Sequence, residues 1–241
     1  MKRYIVTLIS FLLVMPILAQ LPSRRVVKVG DFNDLHLIDN VNVDYRCNSD
    51  SAGLVVLHAT QQMADLFILN NNGKGKLSIQ TATEAINVTG LPTLTVYSTG
   101  LTSAENSGDS TLTLHGLKPM DKFTITLGDN GQVLAAGIHA TTLDCRIFTG
   151  NGLIQVTGQC SQLKTKLVGT GTIDAEHVQA RAVQCRMTGT GTVRCTLNGG
   201  ELNVRGSGAG RVYYHGKPSK VVVHKLGSLK AIALDTDQPQ K

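Results

Sequence analysis

The sequence predicts an all-β solenoid wound in coils of about 20 residues, and three observations carry that prediction. A Gly-x-Gly-x-(Ile/Val/Leu) phrase returns as "GNGLI" at Gly150, "GTGTI" at Gly169, "GTGTV" at Gly189 and "GAGRV" at Gly208, at intervals of 19, 20 and 19 residues. Between the copies, apolar and polar residues alternate, the period of a strand with one buried face. The composition agrees: 25 Gly, no Trp and 17% charged residues in a chain of 241 disfavour helical bundles and coiled coils.

Each element follows from these facts. After the glycines come Ile154/Val156, Ile173/Ala175, Val193/Cys195 and Val212/Tyr214; before the next glycines come Leu163/Thr165/Leu167, Val183/Cys185/Met187 and Leu202/Val204. Two short strands cannot bury their inner face alone, so the units must stack. The glycines then line up at one corner, where Gly accepts the positive φ that Thr or Val resists. Thr170, Thr172, Thr188, Thr190 and Thr192 are expected to form hydroxyl ladders beside that corner. A degenerate copy, "GSLKA", begins at Gly227, and "DNGQV" at Asp129 keeps only its second glycine, Gly131. A phosphate-cradling loop would need a helix after the glycines. Here a strand follows each pair, so nucleotide binding is not expected.

Upstream, Arg25 to Gly128 is less regular, with strand-like runs at Leu35–Val43, Leu54–Ala59, Leu66–Leu69, Lys76–Gln80, Thr93–Tyr97, Thr111–Leu114 and Thr124–Leu127. It reads as further coils of the same solenoid with a degraded repeat. The first residues, "MKRYIVTLISFLLVMPILAQ", carry a basic start, an apolar stretch and a small residue at Ala19, the pattern of a secretory signal cut after Ala19. A membrane anchor needs about 20 apolar residues, and Thr7, Ser10 and Pro16 interrupt this stretch. The expected organisation is therefore a signal peptide over 1–19, an N-terminal all-β region over 20–128 and a regular β-helix over 129–241. The exported chain, with no integral membrane segment after cleavage, belongs in the periplasm or at the cell surface.

The formal charge of +6 falls to about +4 without Lys2 and Arg3. There is no basic run of the kind nucleic acid requires, so no nucleic-acid partner is expected. The five Cys are odd in number and lack CxxC spacing, which favours buried small hydrophobes over a disulfide framework. Seven His without i,i+4 pairing give no metal site, and no cofactor is implied.

The motifs, in their order, also resemble a known family. "VKVGDFNDLHLIDNVNVDY", "GKGKLSI", the series "GNGLI…GTGTIDAEHVQA…GTGTV" and "GSGAGRVYYHGKPSKVVVHKLGS" are similar to the putative auto-transporter adhesin, head GIN domain family of exported Bacteroidetes proteins, over nearly the whole mature chain. The resemblance implies a right-handed parallel β-helix of the pectate-lyase-like kind. "Auto-transporter" would require an outer-membrane barrel of alternating segments with aromatic girdles, and this sequence has no such region.

Outward positions supply the candidate binding residues. After the glycines, Gln155, Asp174, Arg194 and Tyr213 form one expected column, and Thr157, Glu176, Thr196 and His215 a second. Asp174 and Glu176 share a strand face about 6.5–7 Å apart, and the bland expectation is a solvated face with Asp174 paired to Arg194 across coils. On the opposite strand, Lys164, Lys166, Arg186 and Arg205 face outward, with Arg146 nearby. Like charges on adjacent strands repel, so this basic column either meets Asp144 and Glu201 or receives an anionic partner such as an acidic glycan or other cell-surface polymer. The expected function is a non-enzymatic, adhesin-like or glycan-binding module with no catalytic residues. A β-helix polysaccharide lyase or glycosidase built on Asp174 and Glu176 is the alternative, and a solenoid that assembles with copies of itself is a third reading.

Overall fold

A computed structural model describes residues 21–86 and 88–234. The signal peptide expected over 1–19 lies outside the described residues. Apart from one short helix, Gln61–Ala64, and a 3-10 turn, Thr83–Ala85, the regular structure is β, and all strands belong to one 18-stranded sheet that winds on itself. Successive coils pair in parallel at intervals of about 20 residues: Gln132–Ile147 with Leu153–Gly169, and that strand with Thr172–Gly189. Thr192–Leu197 and Glu201–Gly208 form the next rung, and Arg211–His215 and Lys220–Gly227 the one after. The expected parallel β-helix is the architecture of this chain.

The alternation read from the sequence becomes columns inside the helix. Leu94, Val43, Leu112, Val133, Ile154, Ile173, Val193 and Val212 follow one another in register from rung to rung, each essentially inaccessible to solvent. Each such side chain covers the one below, so apolar area leaves water only through stacking. One hydrophobic cluster therefore runs from Phe32 to Leu229. Cys145, Cys160, Cys185 and Cys195 are buried in it as free thiols, and the fifth, Cys47, is half-buried and also free.

The glycine corner is aligned as expected. Gly150, Gly169, Gly189, Gly208 and Gly227 all have positive φ, +112° at Gly169. Their partners in each phrase are required for a different reason, close approach: a Cβ on Gly171 would stand 2.7 Å from the carbonyl oxygen of Gly152 in the rung below. The threonines stack as predicted, Thr172 opposite Thr192. Their bonding differs, since Thr170 Oγ1 donates to the Gly150 carbonyl at 3.3 Å.

In the N-terminal coils the corner is built from a different residue class. Asn40 Oδ1 accepts from the Asp109 amide at 2.8 Å, Asp109 Oδ1 from the Asn130 amide at 3.2 Å, and Asn130 Oδ1 from the Asn151 amide at 3.0 Å. This side-chain ladder occupies the middle position of the corner phrase and passes into Thr170 and Thr190 in later rungs. Inside the same corner, the buried Asn106 donates to the carbonyls of Ser110 and Gln132 and accepts from the Gly108 amide. All its polar groups therefore have partners, as burial demands.

The rungs do not follow chain order at this end. The coil of Asp34–Leu37 and Val43–Cys47 sits between two others. Lys76–Thr81 and Leu94–Ser98 pair on one side of it, and Ser103–Asn106 and Thr111–His115 on the other. The chain leaves its first coil, adds one beneath it, and then continues above. Beyond that lowest rung, Ser23–Lys28 pairs antiparallel with Leu54–Ala59, and Phe67–Asn71 antiparallel with Lys76–Thr81, so antiparallel strands close the N-terminal end. At the opposite end no described residue covers the last rung, and Val221 and Val223 are 39% and 37% exposed.

Candidate functional site

The strands that precede each glycine corner carry the basic column. Inward residues Cys145, Thr165, Cys185 and Val204 lock one side of the backbone into the core, which forces the residues on either side of each outward. Register pairs place Arg146 opposite Lys166, Lys166 opposite Arg186, and Arg186 opposite Arg205. Neighbouring strands lie about 4.8 Å apart, so four cationic side chains stand in line along the solenoid axis, with His224 next in the series. A second outward column two residues earlier, Asp144, Lys164, Gln184 and Asn203, runs beside it. A shallow hollow of about 440 Å³ opens over Lys122, Lys164, Lys166, Gln184 and Arg186.

The acids expected to meet this column do so in part. Asp144 is buried and grips Arg146 in a two-point contact, Nε to Oδ1 at 3.0 Å and Nη2 to Oδ2 at 2.5 Å. That contact holds the Arg146 guanidinium pKa above its ordinary value. Glu201 accepts from Asn203 Nδ2 at 3.2 Å, and Asn203 Oδ1 in turn accepts from Arg205 Nε at 3.1 Å. Among the described residues, Lys164, Lys166 and Arg186 have no carboxylate within 4.0 Å. Sequence reasoning missed one member of this face. Phe148 is 43% exposed, and Lys166 Nζ sits 4.9 Å above its ring, within cation–π range. The signal was present in "CRIFTG", where alternation puts Arg146 and Phe148 on the same outward side.

The opposite face is partly as predicted. Gln155, Asp174, Arg194 and Tyr213 do form a register column. Of Thr157, Glu176, Thr196 and His215, the last two stand opposite each other, but Thr157 and Glu176 fall out of the column. The register shifts between Gln155 and Thr157, so that Thr157 faces His177, and it shifts again after Ala175. Strict alternation fails there because the chain bends, and Glu176 falls within the bend. Asp174 and Arg194 stay opposite each other, but the ion pair expected between them is replaced. Glu176 lies 4.0 Å from Arg194 Nη1 and 3.1 Å from His215 Nε2, while Asp174 Oδ1 accepts from the Glu176 amide at 3.2 Å. Both acids are engaged within the protein. Tyr214 packs against the core and Tyr213 stays half-buried on the outside.

A larger hollow of about 570 Å³ near the N-terminal corner includes Asp39, Asp109 and Asp129. Asp39 accepts from the Thr81 amide and hydroxyl, and Asp109 belongs to the corner ladder, so two of its three acids hold the fold together. Among the described residues no three His, Cys, Asp or Glu side chains converge as a metal-binding group, and no helix is long and apolar enough to cross a membrane. On the last described strands, Lys220, Lys225 and Lys230 are exposed, with Lys225 in line with inward-facing Met187 and Gly206. Charges so placed oppose edge-to-edge pairing between copies.

Solved structures share this architecture. A putative adhesin from Bacteroides fragilis NCTC 9343 superimposes with a TM-score of 0.76 at 19% identity, over 88% of this chain and 96% of that one. A putative lipid binding protein from Parabacteroides distasonis ATCC 8503 matches with a TM-score of 0.71 at 19% identity, over 90% and 98%. A putative adhesin from Parabacteroides merdae ATCC 43184 follows at 0.69 and 16% identity, over 88% and 96%. At these identities the likeness is one of fold. No curated protein matches the sequence. The family model for the putative auto-transporter adhesin, head GIN domain covers residues 31–218, and the chain belongs to that family.

Proposed function

We propose that this chain is an exported, non-enzymatic, adhesin-like module of the periplasm or cell surface, and that its basic column binds an anionic polymer of the cell envelope. The observation that carries this reading is the uninterrupted run Arg146, Lys166, Arg186 and Arg205, in which the middle two have no carboxylate partner among the described residues. Stacking like charges at strand spacing costs stability, and an anion laid over the column converts that repulsion into attraction. The family and fold favour an adhesin-like role. Asp174 and Glu176 are each engaged by neighbouring groups of the protein, and this reading assigns them no catalytic role.

The test is binding to a panel of immobilised acidic and neutral polysaccharides at two ionic strengths. Acidic polymers are expected to bind, more weakly at high salt, and the double variant Lys166→Ala, Arg186→Ala to lose at least tenfold in affinity. Equal binding by the variant removes the column from the interaction. Release of unsaturated products or new reducing ends from any polymer returns the enzyme reading to the front.

A further inference from the structure

We infer that the anion is a linear uronate glycan that lies parallel to the solenoid axis, along the basic column. This inference rests on the anion-binding reading above and narrows it. Direction comes first. The cations align across rungs, from Arg146 through Lys166 and Arg186 to Arg205. Along any one strand they soon give out, since Lys164 and Lys166 are flanked by Gln162 and Val168. A polymer crossing the axis would meet at most two charges, whereas one running with it meets Lys166, Arg186 and Arg205, Arg146 being held by Asp144.

Spacing comes second. The rungs repeat at about 4.8 Å, so Lys166, Arg186 and Arg205 together span about 10 Å, and a polymer with closely spaced acid groups places more than one of them along the column. The donor chemistry agrees. Arg186 and Arg205 present flat guanidinium forks suited to two-oxygen recognition of a carboxylate.

The neighbouring column separates a sugar acid from a bare polyanion. Lys164, Gln184 and Asn203 run two residues from the cations in the same order. Within it, Gln184 offers both a donor and an acceptor to sugar hydroxyls, and the internal units of a polyphosphate have no hydroxyl to donate to its carbonyl. The Gln184 amide takes part in no hydrogen bond among those between described side chains and is half-buried beside the hollow. At one end, Phe148 offers exposed ring area beside Lys166, a surface on which the C–H face of a sugar packs. Asp144 does not repel the ligand, because Arg146 already neutralises it.

The experiment uses the exported chain and oligogalacturonates of increasing length, with their methyl esters and with polyphosphate of matched charge. Affinity is expected to rise several-fold with chain length until the glycan spans the column, and then to level off. The methyl esters should not bind, and polyphosphate should bind at least tenfold more weakly. Arg186→Gln, which interrupts the middle of the column, should abolish the gain in affinity with chain length while the thermal midpoint does not fall. Polyphosphate binding as tightly as the uronate, or an affinity indifferent to length, overturns the uronate inference and leaves anion binding standing. Failure of every anion to bind overturns both.

Discussion

Lys166 and Arg186 stand directly opposite each other on neighbouring rungs, and no carboxylate approaches either within 4.0 Å among the described residues. The pair is a standing electrostatic cost, of the order of 0.2–1 kcal/mol for like charges placed opposite on adjacent strands. Arg186→Gln should therefore stabilise the unliganded protein at low ionic strength, raising the free energy of unfolding by that amount and the urea midpoint with it. The gain should shrink as salt screens the column. A midpoint that falls at every salt concentration would mean that Arg186 contributes packing that outweighs its repulsion.

Asp144 has the opposite sign. It is buried and binds Arg146 at two points. Asp144→Asn should destabilise the fold by about 1.5–3 kcal/mol, the range for hydrogen bonds to charged groups. The same change leaves Arg146 unneutralised, so affinity for acidic polymers should increase although stability drops. Denaturation and binding measured on one variant check both directions.

Much of the C-terminal half could be read from the sequence because each coil there turns its corner with glycine, the residue whose spacing stands out against any background. The N-terminal corners were hidden because Asn40, Asp109 and Asn130 do the same work with side-chain oxygens. Asn and Asp are common in unrelated turns. The run read as one strand over Leu35–Val43 is in fact two, Asp34–Leu37 and Val43–Cys47, parted by that corner. The insertion of the Lys76–Thr81 and Leu94–Ser98 rung beneath the first coil has no periodic signature at all. On the surface, alternation located the basic column but misplaced Glu176, since a period of two does not persist through a bend.

The buried thiols set an upper limit on the pH range of the fold. Burial pushes Cys160 and Cys185 from an ordinary value of 9.0 up to about 11, and Cys195 up to about 12, and it moves Cys145 upward as well. Below pH 9.0 both folded and unfolded chains keep these protons, and the thiols leave stability unchanged. Above it the unfolded chain releases them first. Stability should then fall with rising pH through about 11 to 12, by up to about 1.4 kcal/mol per pH unit for each thiol. Urea midpoints at pH 8 and 10 check the slope. In the native protein a thiol reagent should label the half-buried Cys47 first, and the four buried cysteines only on unfolding.

Two glycines with positive φ separate the conformational role of the corner from its steric one. Gly189 has φ +122°, and a Cβ there would overlap the carbonyl oxygen of Gly169 in the rung below; Gly199 has φ +84°, with nothing within 4 Å of an added Cβ. Gly199→Ala meets only the left-handed backbone penalty, about 1–2 kcal/mol. Gly189→Ala meets a larger φ penalty and must also push one rung away from the next, at a place where the chain above and below is in register. About 3 kcal/mol or more is expected, in the range reserved for backbone strain combined with overpacking. If the two variants unfold at the same denaturant concentration, the stacked corner tolerates a methyl group. The close approach of Gly189 to Gly169 would then not be what fixes the spacing of the coils.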